Sequence, residues 1–220
     1  MHASTLSSDR RAETDSPLLD VLVHRWSPRA YDATEAIDEA KLGSALEAAR
    51  WSPSAGNTQP WRFIVARRGT PEHATVQANL VGFNKEWAGD AAVLIVAIAE
   101  HTNENGDAMT WAHYDLGQAM AHLSVQAHHD GLHVHQMGGF DGSALSDAFE
   151  LDSRFAPVTV ATLGTLGDPA QLPPISGGGF FTDHEPDHLL TEIHRQARDN
   201  PIIRLAMDVR EGREFMIGDY

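Results

Sequence analysis

Cysteine is absent from the 220-residue chain, which removes disulfides, thiol nucleophiles and thiolate metal sites together. Positive charge is scarce. Lys and Arg total 16 against 31 Asp and Glu, a net charge of -15, and a surface that negative repels phosphate backbones and anionic lipid headgroups. Neither nucleic acid nor membrane is therefore expected as a partner. No apolar run nears the roughly 20 residues that a spanning helix needs, and the stretch from Met1 to Asp15 has no apolar signal-peptide core, so a cytoplasmic protein is expected. With no thiol available, redox chemistry would have to be carried by a cofactor.

Apolar residues make up 42% of the chain and charged residues 21%, the composition of an ordinary folded domain. A chain of this length is expected to fold as one domain, over 16–199, between a mobile leader (1–15) and a C-terminal extension (200–220). Ser16-Pro17 resembles a helix cap followed by a first-turn proline, ahead of an apolar stripe of Leu18, Leu19, Leu22 and Val23. Asp38 can cap a second helix with Leu42, Ala45, Leu46 and Ala49 on one face. Trp61 to Ala66 reads as a strand, and Thr70-Pro71 opens another helix. The Val- and Ile-rich run Ala91 to Ala99 suits a strand buried on both faces. Thr110 to Asp130 carries Leu116, Ala119, Met120, Leu123 and Ala127 at helical spacing, with Gly131 placed for a left-handed cap. Strands are expected at Val134 to Met137 and Pro157 to Leu163, with a short helix near Ser143 to Phe149 between them, and His188 to Arg198 can be helical again.

Three segments combine polar groups with turns. His24-Arg25-Trp26-Ser27-Pro28-Arg29 places two guanidinium groups and a hydroxyl close together, a set suited to phosphate and equally consistent with surface arginines at a helix end. In Pro53-Ser54-Ala55-Gly56-Asn57-Thr58-Gln59-Pro60-Trp61, small residues let backbone approach a ligand while Asn57 and Gln59 donate and accept; a plain connecting loop has the same composition. His135-Gln136-Met137-Gly138-Gly139-Phe140-Asp141 runs a strand into paired glycines that bare the backbone.

In order and spacing the three segments resemble the nitroreductase family, through RWSPRAYD at 25–32, AARWSPSAGNTQPWRFIV at 48–65 and GLHVHQMGGFD at 131–141. The resemblance runs from about Leu18 to Gly167. It implies an α+β fold, with a central mixed, largely antiparallel sheet flanked by helices, in an intertwined homodimer that binds FMN in clefts between subunits. It implies hydride transfer from NAD(P)H to a small-molecule electron acceptor, such as a nitro compound or quinone, in a ping-pong order through one open pocket. By the same resemblance, Arg25, Trp26, Ser27 and Arg29 grip FMN, with Arg29 stabilising charge on the flavin. Pro53, Ser54, Ala55 and Asn57 come from the second subunit, Asn84 meets the flavin edge, and Gln136, Met137, Gly138 and Gly139 approach the N5 and O4 side. Members of this fold also cleave flavin, oxidise peptide-derived rings, or bind and sequester flavin with little turnover, and these readings stay open. One departure stands out. Acidic Glu185 and Asp187 lie where the family usually carries basic residues, so either that loop has swung away or a weak hold on FMN is expected, unless Arg195, Arg198 or Arg204 compensates.

Among the thirteen histidines, His128, His129, His133 and His135 cluster in sequence, but only Asp130 is at hand to complete a ligand set, so no metal is expected. Ser124 and Ser143 lie in no nucleophile-elbow pattern.

Overall fold

The computed structural model describes residues 11–167, within the first of two units into which the chain divides, Met1–Leu172. The expected domain limit at 199, the 200–220 extension, the acidic 183–187 stretch and the 188–198 helix lie outside the described residues.

Helix α1 (Asp20–His24) is followed by α2 (Glu39–Arg50), strand β1 (Trp61–Arg67), α3 (Pro71–Ala78), α4 (Asn84–Trp87), β2 (Val93–Glu100), α5 (Ala112–His129), β3 (His133–Met137), α6 (Gly142–Ala148) and β4 (Phe155–Gly164). The strands form one sheet in the order β1-β2-β4-β3, and all three pairings are antiparallel.

Burial follows the two-residue period of a strand. On β2, Val93, Ile95, Ala97 and Ala99 pack with Leu42, Ala45 and Ala49 of α2 and Leu116, Ala119, Met120 and Leu123 of α5. The alternate residues, Leu94, Val96 and Ile98, pack with Val76 of α3, Trp87 of α4 and Leu145 of α6. Helices on both faces of β2 explain why its sequence is a continuous apolar run rather than an alternating one.

Local chemistry sets the helix ends. Asp38 accepts from the Ala40 and Lys41 amides, Thr70 from His73 with Pro71 in the first turn, and Asp141 from Ala144. Gly131 has φ +80°, the left-handed conformation that closes α5. The start of α1 differs from expectation. It begins at Asp20 after Leu19, with no side-chain cap, and Leu18, Leu19 and Leu22 are exposed while Val23 alone is buried. A cap-like dipeptide does not start a helix by itself when, among the described residues, most of the apolar side has nothing to pack against.

Candidate functional site

Edge strand β3 organises one half of the site. The His135 Nδ1–H donates to the Pro28 carbonyl at 2.8 Å, and its ring lies 4.8 Å from that of Trp87. Two residues beyond Arg29, the buried Tyr31 hydroxyl bonds Thr162 Oγ1 at 2.7 Å, and the Thr162 hydroxyl reaches the His135 carbonyl at 3.3 Å. The Arg25 to Arg29 segment is thereby fastened against β3 and β4. Trp26 lies 6.4 Å, ring to ring, from His133, which meets His128 edge-on at 4.9 Å.

Arginine use within the described residues separates structural from available cations. Arg62 and Arg154 bind Glu100, Arg67 binds Glu39, Arg50 binds Glu47, and Arg68 donates to the Asp32, Glu35 and Asp90 carbonyls. Arg25 and Arg29 are exposed, as is Ser27, and among the described residues none of the three side chains has a hydrogen-bond or ion-pair partner.

The end of β3 meets the α3–α4 connection. The Gly139 carbonyl accepts from the Val81 amide at 3.0 Å and from Asn84 Nδ2 at 3.2 Å. A Cβ on Gly139 would come within 2.7 Å of that Nδ2, so any larger residue here would displace the Asn84 amide. Gly138 faces open space. Gln136 turns toward α5, donating to Ser124 Oγ at 3.1 Å, whereas Met137 is buried in the core with Leu94 and Leu145. Met137 can therefore offer a ligand only its backbone.

The 53–59 loop is built separately. Gly56, Asn57 and Gln59 have φ of 58°, 57° and 48°, a left-handed stretch that is costly for the two non-glycine residues. Ser54 Oγ accepts from the Gln59 amide, Asn57 Oδ1 accepts from Gln59 Nε2, and the Ala55 amide donates at 3.0 Å to Asp115 Oδ2. Asp115 is buried in the first turn of α5, where the helix dipole favours a carboxylate.

This loop is tied to Asp115 at the start of α5, and the arginine segment lies beside His128 at its end. Thirteen residues separate the two, about 20 Å of helix. One protomer thus gathers Arg25, Trp26, Ser27 and Arg29 with the Asn84 and Gln136 to Gly139 groups on the β3 side, and holds Pro53, Ser54, Ala55 and Asn57 at the other end of α5.

Two anchors lay hidden in the sequence. Asp115 falls on the apolar stripe with Ala112, Leu116 and Ala119, and a charge on such a stripe signals a buried partner. His135 is one of the four clustered histidines, which the sequence leaves as surface or flavin-adjacent residues rather than metal ligands; among the described residues no group of three or more potential metal ligands occurs. Burial holds His133 down to about 4, with His128 adding to it. Burial likewise lowers His128, with Arg25 and His24 reinforcing, and His135, with Arg29 reinforcing against the Pro28 bond.

A model of the nitroreductase family matches residues 22–73 and 69–165, and the chain belongs to that family. A crystal structure described as an oxidoreductase containing FMN is 32% identical, with a TM-score of 0.69, over 73% of this chain and 83% of that one. YdgI of Bacillus subtilis, which carries a provisional designation as a NAD(P)H nitroreductase, is 25% identical over 187 residues, 68% of this chain and 88% of YdgI. A Desulfovibrio desulfuricans protein solved with FMN and provisionally assigned as a nitroreductase is 25% identical, with a TM-score of 0.60, over 79% of this chain and 99% of its own.

Proposed function

We propose that the protein is an FMN-dependent oxidoreductase that takes hydride from NAD(P)H and passes it to nitro compounds, quinones or similar electron-poor small molecules, and that it acts as a cytoplasmic homodimer. The observation that carries this reading is the set of donors at Arg25, Ser27 and Arg29, unpartnered among the described residues and fastened to β3, the strand that runs on to the open space at Gly138. An anionic group with an attached flat ring fits that arrangement: guanidinium and hydroxyl groups take the phosphate, and the open space at Gly138 admits the ring edge. FMN, when bound, supplies the hydride-accepting and hydride-donating centre. Arg25 and Ser27 hold the phosphate end, Arg29 places positive charge where electron density gathers, and Asn84 braces the Gly139 backbone. Nicotinamide and acceptor use the same open face in turn, which gives a ping-pong order, and solvent supplies the proton.

The separation along α5 supports the dimer. The loop and the arginine segment of one chain are anchored about 20 Å apart along α5, and paired chains can bring one chain's loop to the other's arginines. Exposed Leu18, Leu19, Leu22, Trp111 and Tyr114 supply apolar surface for such an interface. Among the described residues, no helix is long and apolar enough to cross a membrane.

Purified protein should be yellow or become so with FMN, be bleached by NADH or NADPH, recover with a nitro compound or quinone, and scatter light as a dimer whose Tm rises with FMN. Colour that reduced nicotinamide does not bleach would favour flavin sequestration. A monomeric protein that cannot be loaded with FMN would overturn the proposal.

A further inference from the structure

We propose that His135 is the positioning residue that holds the Arg25 to Arg29 segment in register with the end of β3, so that phosphate recognition depends on this imidazole although it touches no phosphate. The inference rests on the FMN reading above and assigns a role that the reading leaves empty.

The segment needs an external anchor. It follows a helix of one turn with no side-chain cap and precedes Tyr31, which begins its own contact with Thr162. Between those points the His135 bond to the Pro28 carbonyl holds the chain, at the residue between Ser27 and Arg29. Pro28 has no N–H to share, so its carbonyl is the group by which that residue can be gripped. The imidazole is itself fixed. Its backbone is paired with Thr162 in β4, and its ring rests against Trp87, the last residue of the helix that opens with Asn84. Gln136 follows directly in the chain. One side chain therefore relates three groups of proposed flavin contacts: the arginines, the Asn84 helix and the 136–139 strand end.

The bond also sets the tautomer. A carbonyl accepts only, so Nδ1 carries the hydrogen. Burial and the nearby Arg29 both disfavour a second proton, which keeps the ring neutral and leaves the positive charge of the segment on its arginines.

The test is a set of FMN and riboflavin titrations on the full-length wild type, Arg25→Ala, His135→Leu, His135→Asn and the Arg25→Ala/His135→Leu double variant. The wild type should prefer FMN, and Arg25→Ala should abolish most of that preference. His135→Leu should reduce it about tenfold, the scale of one lost hydrogen bond. His135→Asn, which places an amide donor near the Nδ1 position, should retain it. In the double variant the His135 change should add little, because the contact that carries most of the preference is already gone. Equal weakening of both flavins by His135→Leu is what a purely structural residue would give, and it overturns the inference; so does a leucine variant with wild-type preference, or an asparagine variant as impaired as leucine. A wild type without preference for FMN brings down the reading of the arginine segment itself and the inference with it. If the leucine variant does not fold, the imidazole nitrogen shifts of FMN-loaded wild type decide: a neutral ring protonated at Nδ1 supports the clamp, and one protonated at Nε2 overturns it.

Discussion

Arg25→Ala should bind FMN about 10- to 150-fold more weakly than wild type, the equivalent of a charge-assisted contact worth roughly 1.5 to 3 kcal/mol. Riboflavin, which lacks the phosphate, should lose about twofold or less. The contrast follows from the state of the side chain: Arg25 is exposed and unpartnered among the described residues, so truncating it removes no internal ion pair that would disturb the fold. Nearby charge works the same way. Burial, the largest cause that lowers His128, persists when Arg25 is removed, so the ring does not replace the lost positive charge. Isothermal titration with both flavins measures the two affinities, and the FMN loss should shrink as salt is added because the attraction is screened. Equal losses for FMN and riboflavin would remove Arg25 from the phosphate site.

The second large effect is acid sensitivity centred on histidines that are buried or half-buried. His133 is lowered from 6.5 to about 4 in the folded protein, and His73, His101, His128 and His135 are lowered too, burial being the first cause in each. A base whose folded value is depressed binds its proton more readily in the unfolded chain. Its stabilising contribution is therefore complete above about pH 6.5 and lost as pH falls toward the folded value. Between pH 6.5 and 4.5 most carboxylates are still ionised, so the loss in that interval reports on histidine. His133 alone should remove about 2 kcal/mol by pH 4, its partial solvent contact keeping it below the full linkage value. Melting curves taken at half-unit steps should show Tm falling across this window, and His133→Asn should flatten the fall. A Tm that is constant from pH 6.5 to 4.5 would contradict the assignment.

How much of this was legible depended on whether the cause was local. Asp38, Thr70 and Asp141 act on amides two or three residues away, and the β2 run and Gly131 carry their conformational preference within themselves, so these features could be read directly. The strand order could not, because β4 inserts between β2 and β3 by pairing with residues tens of positions away. The four-residue helix Asn84–Trp87 is too short to show a period. The three polar segments were recognisable, yet the bonds that position them were not: His135 to Pro28 spans 107 residues and Ala55 to Asp115 spans 60. Met137 shows the opposite limit. Its motif placed it at the ligand, while the strand's alternation sends its side chain into the core.

In the proposed dimer, with α5 holding the loop and the arginines apart, damage to the site would be divisible between gene copies. A chain altered at Arg25 and a chain altered at Asn57 would each be defective alone. When both are made in one cell, every mixed dimer would contain one cleft assembled from the two undamaged halves and one carrying both lesions. Random pairing of equal amounts leaves about a quarter of the clefts whole. The two alleles would then complement each other, whereas two lesions within the same half, such as Arg25 and Ser27, would not.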